Sequence, residues 1–235
     1  MNVRASYWSS VRDAFAGALG LVFPAWCAGC DAPDATLCPA CRAELRPSVE
    51  VRAVGGLEVF SGLVFAGVAA RALRACKEDG RTRLARALAP ALAAAADCAV
   101  AAAGPAPAAA GATEVLVVPV PTSPAAMRRR GYRVSELIAR RAGLRPRRLL
   151  ATAGHAADQR GLGIAARDRN VAGGMRARGV DGRSVLIVDD VVTTGATLRE
   201  AARALRAAGA DVIGAATAAS TPLRAAAPAA VVSDQ

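Results

Sequence analysis

VLIVDDVVTTGATL, residues 185–198, is the stretch from which the rest of the sequence is best read. A run of aliphatic residues ends in two adjacent carboxylates, Asp189 and Asp190, and passes through Thr193, Thr194, Gly195, Ala196 and Thr197 into a helical pattern. That order predicts a buried strand, an acidic pair at its C-terminal tip and a hydroxyl-rich turn that opens a helix. Such a turn aims backbone N–H groups, the positive helix end and hydroxyl donors at one point, which suits a phosphate monoester. The carboxylates cannot serve the phosphate. Their geometry suits vicinal hydroxyls, so a sugar phosphate satisfies both halves of the motif. Any α/β domain could hold a strand, turn and helix with a Thr-Gly N-cap, but a purely structural turn has no use for two adjacent acids where a parallel strand leaves its sheet.

Outward from this stretch, strands alternate with helices. Val115–Val120 reads as a buried strand, 125–141 as a helix, 148–152 as a strand, 185–189 as the central strand, 196–208 as a helix and 211–218 as another strand. The spacing predicts an α/β fold with a mostly parallel sheet flanked by helices. Nearer the N-terminus, 57–66 reads as a hairpin turning at Ser61-Gly62, and a helix from Val68 to Cys76 leads into Lys77-Glu78-Asp79-Gly80. Three parts follow: residues 1–50 with an amphipathic helix and a cysteine knuckle, a main domain over 51–225 with an Ala/Pro-rich insertion at 90–112, and a tail at 226–235.

The net charge of +11 favours anionic partners, polyphosphates, nucleic acid or an acidic protein surface among them. Nearly all of it is arginine, and Lys77 is the only lysine. Aromatic residues make up 3 %, which gives base stacking on single strands little support. No apolar run combines the bulk and continuity to span a membrane. The short apolar segment Ala14–Trp26 resembles a signal h-region, but the cysteine pair directly behind it argues against export, and a cytoplasmic protein is the expectation.

Four of the six cysteines fall as Cys27-x2-Cys30-x7-Cys38-x2-Cys41. Each C-x2-C pair sets two sulfurs on one side of a tight turn, and two such turns make a four-thiolate site suited to structural Zn²⁺, with disulfides or free thiols as the alternatives. Such a closed site leaves no position for substrate. Cys76 and Cys98 read as ordinary buried thiols.

Two more segments carry chemistry. VPVPTSP, residues 118–124, closes a strand and runs towards Arg128-Arg129-Arg130-Gly131-Tyr132, so Pro119, Val120, Pro121, Arg128 and Arg130 form a second candidate anion pocket, with an ordinary β-to-α turn as the plain alternative. Residues 153–175, with Gln159, Arg160, Arg167, Asp168 and Asn170, form a polar connection long enough to serve as a lid, or simply as a surface loop. The single histidine, His155, reads as incidental.

VDDVVTTGATL closely resembles the phosphoribosyl-pyrophosphate (PRPP) loop of type I phosphoribosyltransferases. Phe23-Pro24, the C-x2-C pairs, Lys77–Gly80, VPVPTSP with RRRGY, and Gln159–Asn170 follow the order seen in the ComF/GntX family, whose members resemble type I phosphoribosyltransferases with an N-terminal zinc finger. One segment departs: where that family carries an RGFNQ-like run, this chain reads Arg130-Gly131-Tyr132-Arg133-Val134. The resemblance implies PRPP with Mg²⁺ as substrate and a nitrogenous acceptor that displaces pyrophosphate from C1′. Asp189 and Asp190 would hold the 2′ and 3′ hydroxyls with Val188 and Val191 beside them, and Thr193 to Thr197 the 5′-phosphate. Pro119 to Thr122 with Arg128 and Arg130 would face pyrophosphate, and Lys77 and Arg167 would neutralise the leaving group. A link of ComF relatives to DNA uptake keeps a second expectation open, a non-catalytic nucleic-acid-associated module with a regulatory PRPP site. Neither the acceptor nor the oligomeric state is readable from the sequence.

Overall fold

The structure is a computed structural model and describes residues 26–104, 114–152 and 174–222. In chain order its elements are α1 (Pro39–Ala43), β1 (Glu50–Val54), β2 (Leu57–Ser61), α2 (Gly67–Glu78), a 3₁₀ turn (Thr82–Leu84) running into α3 (Ala85–Ala103), β3 (Leu116–Pro119), α4 (Pro124–Arg130), α5 (Val134–Arg141), β4 (Leu150–Thr152), β5 (Met175–Ala177), β6 (Ser184–Val192), α6 (Ala196–Ala207) and β7 (Asp211–Ser220). The amphipathic helix expected within the first 21 residues, the 153–173 connection and the tail from 223 lie outside the described residues.

Five strands form one sheet in the order β1-β2-β7-β6-β3, and only the β1–β2 pair is antiparallel. The mostly parallel α/β sheet flanked by helices is therefore the observed fold. The continuous apolar run of β6 has a direct cause in packing. Val185 and Ile187 enter one core with Leu198 and Leu205 of α6, while Leu186 and Val188 enter a second core with Leu73 of α2, Leu88 and Leu92 of α3 and Ile138 of α5. A strand covered on both faces needs apolar residues at both parities, so period-two alternation disappears.

Several expectations are corrected. The hairpin turns at Gly55-Gly56, with φ values of 58° and 75°, and not at Ser61-Gly62. Two adjacent residues at positive φ make the tight turn whose twist suits paired strands, and glycine adopts them without steric cost. Gly62 instead continues the ladder, its N–H donating to Thr217 O at 3.1 Å, and a Cβ there would lie 2.0 Å from the carbonyl oxygen of Ala91. That close approach seats α3 on the sheet. The first part of the Ala/Pro-rich stretch at 90–112 does continue as helix, as far as Ala103, and it is a core helix, with Leu88, Ala91, Leu92, Ala95 and Ala99 buried at helical spacing; the second part, from 105 to 112, lies outside the described residues. With the turn before it, Thr82–Ala103 is long and apolar enough to cross a membrane by length and composition, overlapping the Ala-rich stretch that comes closest to this in the sequence, and its packing on the sheet accounts for that composition.

The expected helix over 125–141 is two helices, broken at Gly131, which is left-handed at φ 76°. Residues 150–152 pair with Met175–Ala177 in a separate antiparallel ribbon and do not join the parallel sheet. Lys77 lies inside α2, whose helix runs on to Glu78.

Candidate active site

The acidic pair is held inside β6, which continues to Val192, and Asp189 lies opposite Thr217 of β7. The Asp189 Oδ1 accepts from Ser135 Oγ at 2.9 Å and from the Asp190 N–H at 2.8 Å. The Asp190 Oδ1 accepts from the Val191 N–H at 3.0 Å, and its Oδ2 lies 2.7 Å from Lys77 Nζ. Burial pushes the Asp189 carboxyl up to about 8, the neighbouring Asp190 charge adds to this, and the hydrogen bonds from the Asp190 N–H and Ser135 oppose it.

Both carboxylates line a cavity of about 260 Å³ with Lys77, Arg130, Ser135 and the Val120–Ser123 turn. The Arg130 Nε is buried without a hydrogen-bond partner among the described residues. The Tyr132 hydroxyl donates to the carbonyl of Cys76, which ties the α4–α5 junction to the last turn of α2, next to Lys77. Tyrosine thus makes a polar contact of its own at the segment where the resemblance departs.

Beyond β6, Gly195 turns left-handed at φ 77°, and a Cβ on it would lie 2.3 Å from Val54 Cγ1. Conformation and space both demand glycine here. Helix α6 starts without a side-chain cap, and the Ala196 N–H reaches only Thr194 Oγ1 at 3.4 Å. Its first-turn N–H groups are those a helix cannot satisfy internally, and Thr193, Thr194 and Thr197 stand exposed around them.

Residues 125–234 match the phosphoribosyl transferase domain family. That match covers just under half of the chain. Among curated proteins, it is similar to the adenine phosphoribosyltransferases of Rhodococcus opacus (strain B4) and Rhodococcus jostii (strain RHA1), each 64 % identical over 36 residues, 15 % of this chain. Those 36 residues span 20 % of each relative's length.

The acid pair, the Thr-Gly turn and Arg130 fall within the matched phosphoribosyltransferase domain, whereas Lys77 and Val120–Ser123 precede it in sequence and close the same cavity. The structure separates some residues the sequence reading grouped. Arg128 and Pro119 line a neighbouring cavity of about 450 Å³, with Arg133, Glu136 and Arg148, while Val120 and Pro121 face both. Lys77 pairs with Asp190 and is not a free cation. Arg167 and His155 lie outside the described residues. Ser135, which fixes Asp189, and Arg52, which donates from β1 to Thr193 O at 2.9 Å, carried no local signal in the sequence.

The sulfurs of Cys27, Cys30, Cys38 and Cys41 all lie within 4.8 Å of one another, with Cys30 and Cys38 at 3.7 Å. Tetrahedral Zn²⁺ with bonds of about 2.3 Å sets sulfurs roughly 3.8 Å apart, so the four thiols fit such an ion. Gly29 is required, because a Cβ there would lie 2.5 Å from Cys41 Sγ. The knuckle rests on α2 through Val68, Ala72 and Leu73, and Arg71 pairs with Asp31. Cys76 is buried as expected, but Cys98 is exposed, on the outer face of α3.

Proposed function

We propose that the protein binds PRPP with Mg²⁺ and transfers its phosphoribosyl group to a nitrogen nucleophile. The observation that carries this reading is the convergence of Asp189, Asp190, Lys77, Arg130 and Ser135 on one cavity, with the acid pair leading in sequence into a helix that starts without a side-chain cap. In it, the aspartates accept from the 2′ and 3′ hydroxyls, the Thr193–Thr197 turn holds the 5′-phosphate, and Arg130 with the Val120–Ser123 turn faces pyrophosphate. As pyrophosphate leaves, positive charge develops at C1′, and the Asp190 carboxylate near the ribose opposes it. Mg²⁺ would be carried mainly by substrate and water, and would neutralise the leaving group. Four cysteines would hold a structural Zn²⁺ away from the chemistry. Pyrophosphate release is the test: purified protein with PRPP, Mg²⁺ and a panel of bases beginning with adenine should release it in wild type and not in Asp190→Asn.

A second reading has its own observation. Residues 128–148 hold nine arginines and a single acid, Glu136. That face suits a phosphate backbone, as in a nucleic-acid-associated module of the DNA-uptake kind in a cytoplasmic setting. DNA affinity falling steeply with salt, with no pyrophosphate release for any acceptor, would favour it.

A further inference from the structure

Resting on the assignment of the turn after β6 to the 5′-phosphate, we propose that Arg52 is a positioning residue for that phosphate, acting by fixing the orientation of the Thr193–Thr194 peptide. Arg52 comes from the first strand of the sheet, 141 residues before Thr193. Its Nη2 donates to the Thr193 carbonyl at 2.9 Å and its Nη1 reaches the Thr221 carbonyl at 3.4 Å, so one guanidinium spans the exits of β6 and β7.

No cis peptide bond occurs among the described residues. In a trans peptide the C=O and the following N–H point to opposite sides. With its carbonyl drawn to Arg52, the Thr193–Thr194 peptide turns the Thr194 N–H away from the hairpin. Turns differ chiefly in the orientation of such a peptide, and the flipped form would offer a carbonyl oxygen to the phosphate instead.

The same strand braces the turn a second time. Residues two apart share a face of a strand, and Val54 packs where a side chain on Gly195 would sit, 2.3 Å from its Cβ position. Arg199, in the first turn of α6, lies over Gly55 in the same way, its Cδ 2.6 Å from a Cβ built there. The hairpin is a brace for the phosphate turn, and Arg52 is its polar contact. Two carbonyls at different strand exits suit a planar fork, and a lysine has only one point to offer.

The test measures, by calorimetry on the full chain, the affinity for ribose 5-phosphate and for inorganic pyrophosphate in wild type, Arg52→Lys, Arg52→Gln and Arg52→Met. Loss of one charged-group hydrogen bond corresponds to roughly tenfold, so Arg52→Met should weaken ribose 5-phosphate by about that factor and leave pyrophosphate within about twofold. Arg52→Lys should recover part of the loss. Arg52→Gln keeps a donor without the charge, and it carries the test if Arg52→Met does not fold. Equal loss of both ligands marks a merely structural arginine and overturns the proposal, as does unchanged affinity for both. Wild type that binds neither ligand overturns the functional reading itself, and this inference with it.

Discussion

Two buried carboxylates, at the end of β6 and on the flank of α5, are neutralised in opposite ways. Asp190, 6 % exposed, faces one cation, Lys77 at 2.7 Å, beside a second acid. Glu136, 5 % exposed, takes Arg148 in a two-point fork at 2.7 and 2.8 Å, with Arg133 at 3.5 Å and Arg140 at 3.6 Å. Burial pushes Glu136 up, but the hydrogen bonds and charge of Arg148, with Arg133 and Arg140 behind them, outweigh it and hold the carboxyl below its ordinary value. Asp189 goes the other way, up to about 8. A carboxylate with cations in excess is a clamp. A pair with a single lysine, held by Asp190 alone, is left short of positive charge, and this is what the proposed binding of ligand hydroxyls would draw on.

The largest effect expected from this contrast is on binding. Asp190→Asn should weaken ribose 5-phosphate about a hundredfold in calorimetry, the scale of losing charge-assisted hydrogen bonds, while stability to urea holds or rises. The like charge beside Asp189 is gone, and Lys77, about one-third exposed, can turn to solvent. Glu136→Gln should do the reverse. It leaves three guanidiniums without their shared anion, which costs about 2 kcal/mol of unfolding free energy, and ribose 5-phosphate affinity should move less than about threefold. A Glu136 variant that loses ligand as severely as the Asp190 variant would dissolve the distinction.

What the sequence disclosed and what it withheld divide along a related line. The Thr-Gly turn, the acids and the four cysteines are each complete within a short contiguous stretch, so spacing alone exposes them. Ser135 meets Asp189 across 54 residues, and Arg52 meets Thr193 across 141. Only the assembled sheet brings those partners together. The core position of helix α3, more than its existence, was hidden by composition, because alanine that reads as low complexity is also what lets a helix backbone sit as close to the sheet as Ala91 does to Gly62. The sequence reading placed the hairpin turn at Ser61-Gly62 and passed over Gly55-Gly56, where two adjacent residues at positive φ make the turn.

The pH dependence of stability should show the two regions with opposite signs. Asp189 has its folded value raised above the unfolded one, so its contribution is fully present below about pH 4 and is lost as pH rises through about 8. Glu136 has its folded value depressed, so its contribution is present above the unfolded carboxylate value and is lost as pH falls through the folded one. Urea midpoints measured from pH 3 to pH 9 should therefore decline on both sides. Asp189→Asn should flatten the alkaline limb alone, and Glu136→Gln the acid limb alone. An alkaline limb unchanged in Asp189→Asn would place its origin elsewhere.

The smallest effect belongs to Arg148, although its contacts with Glu136 are the shortest in that cluster. Its side chain is 57 % exposed, so water screens the pair, and exposed ion pairs contribute about 1 kcal/mol or less. Arg133 and Arg140 remain beside the carboxylate when Arg148 is removed. Arg148→Ala should thus shift the urea midpoint by the equivalent of less than about 1 kcal/mol, well short of Glu136→Gln, because removing the shared anion ends all three pairings at once whereas removing one cation leaves the buried anion served by two others. A loss as large as that of Glu136→Gln would mean that Glu136 depends on a single partner, as Asp190 does on Lys77, and that its excess of arginines is only geometric.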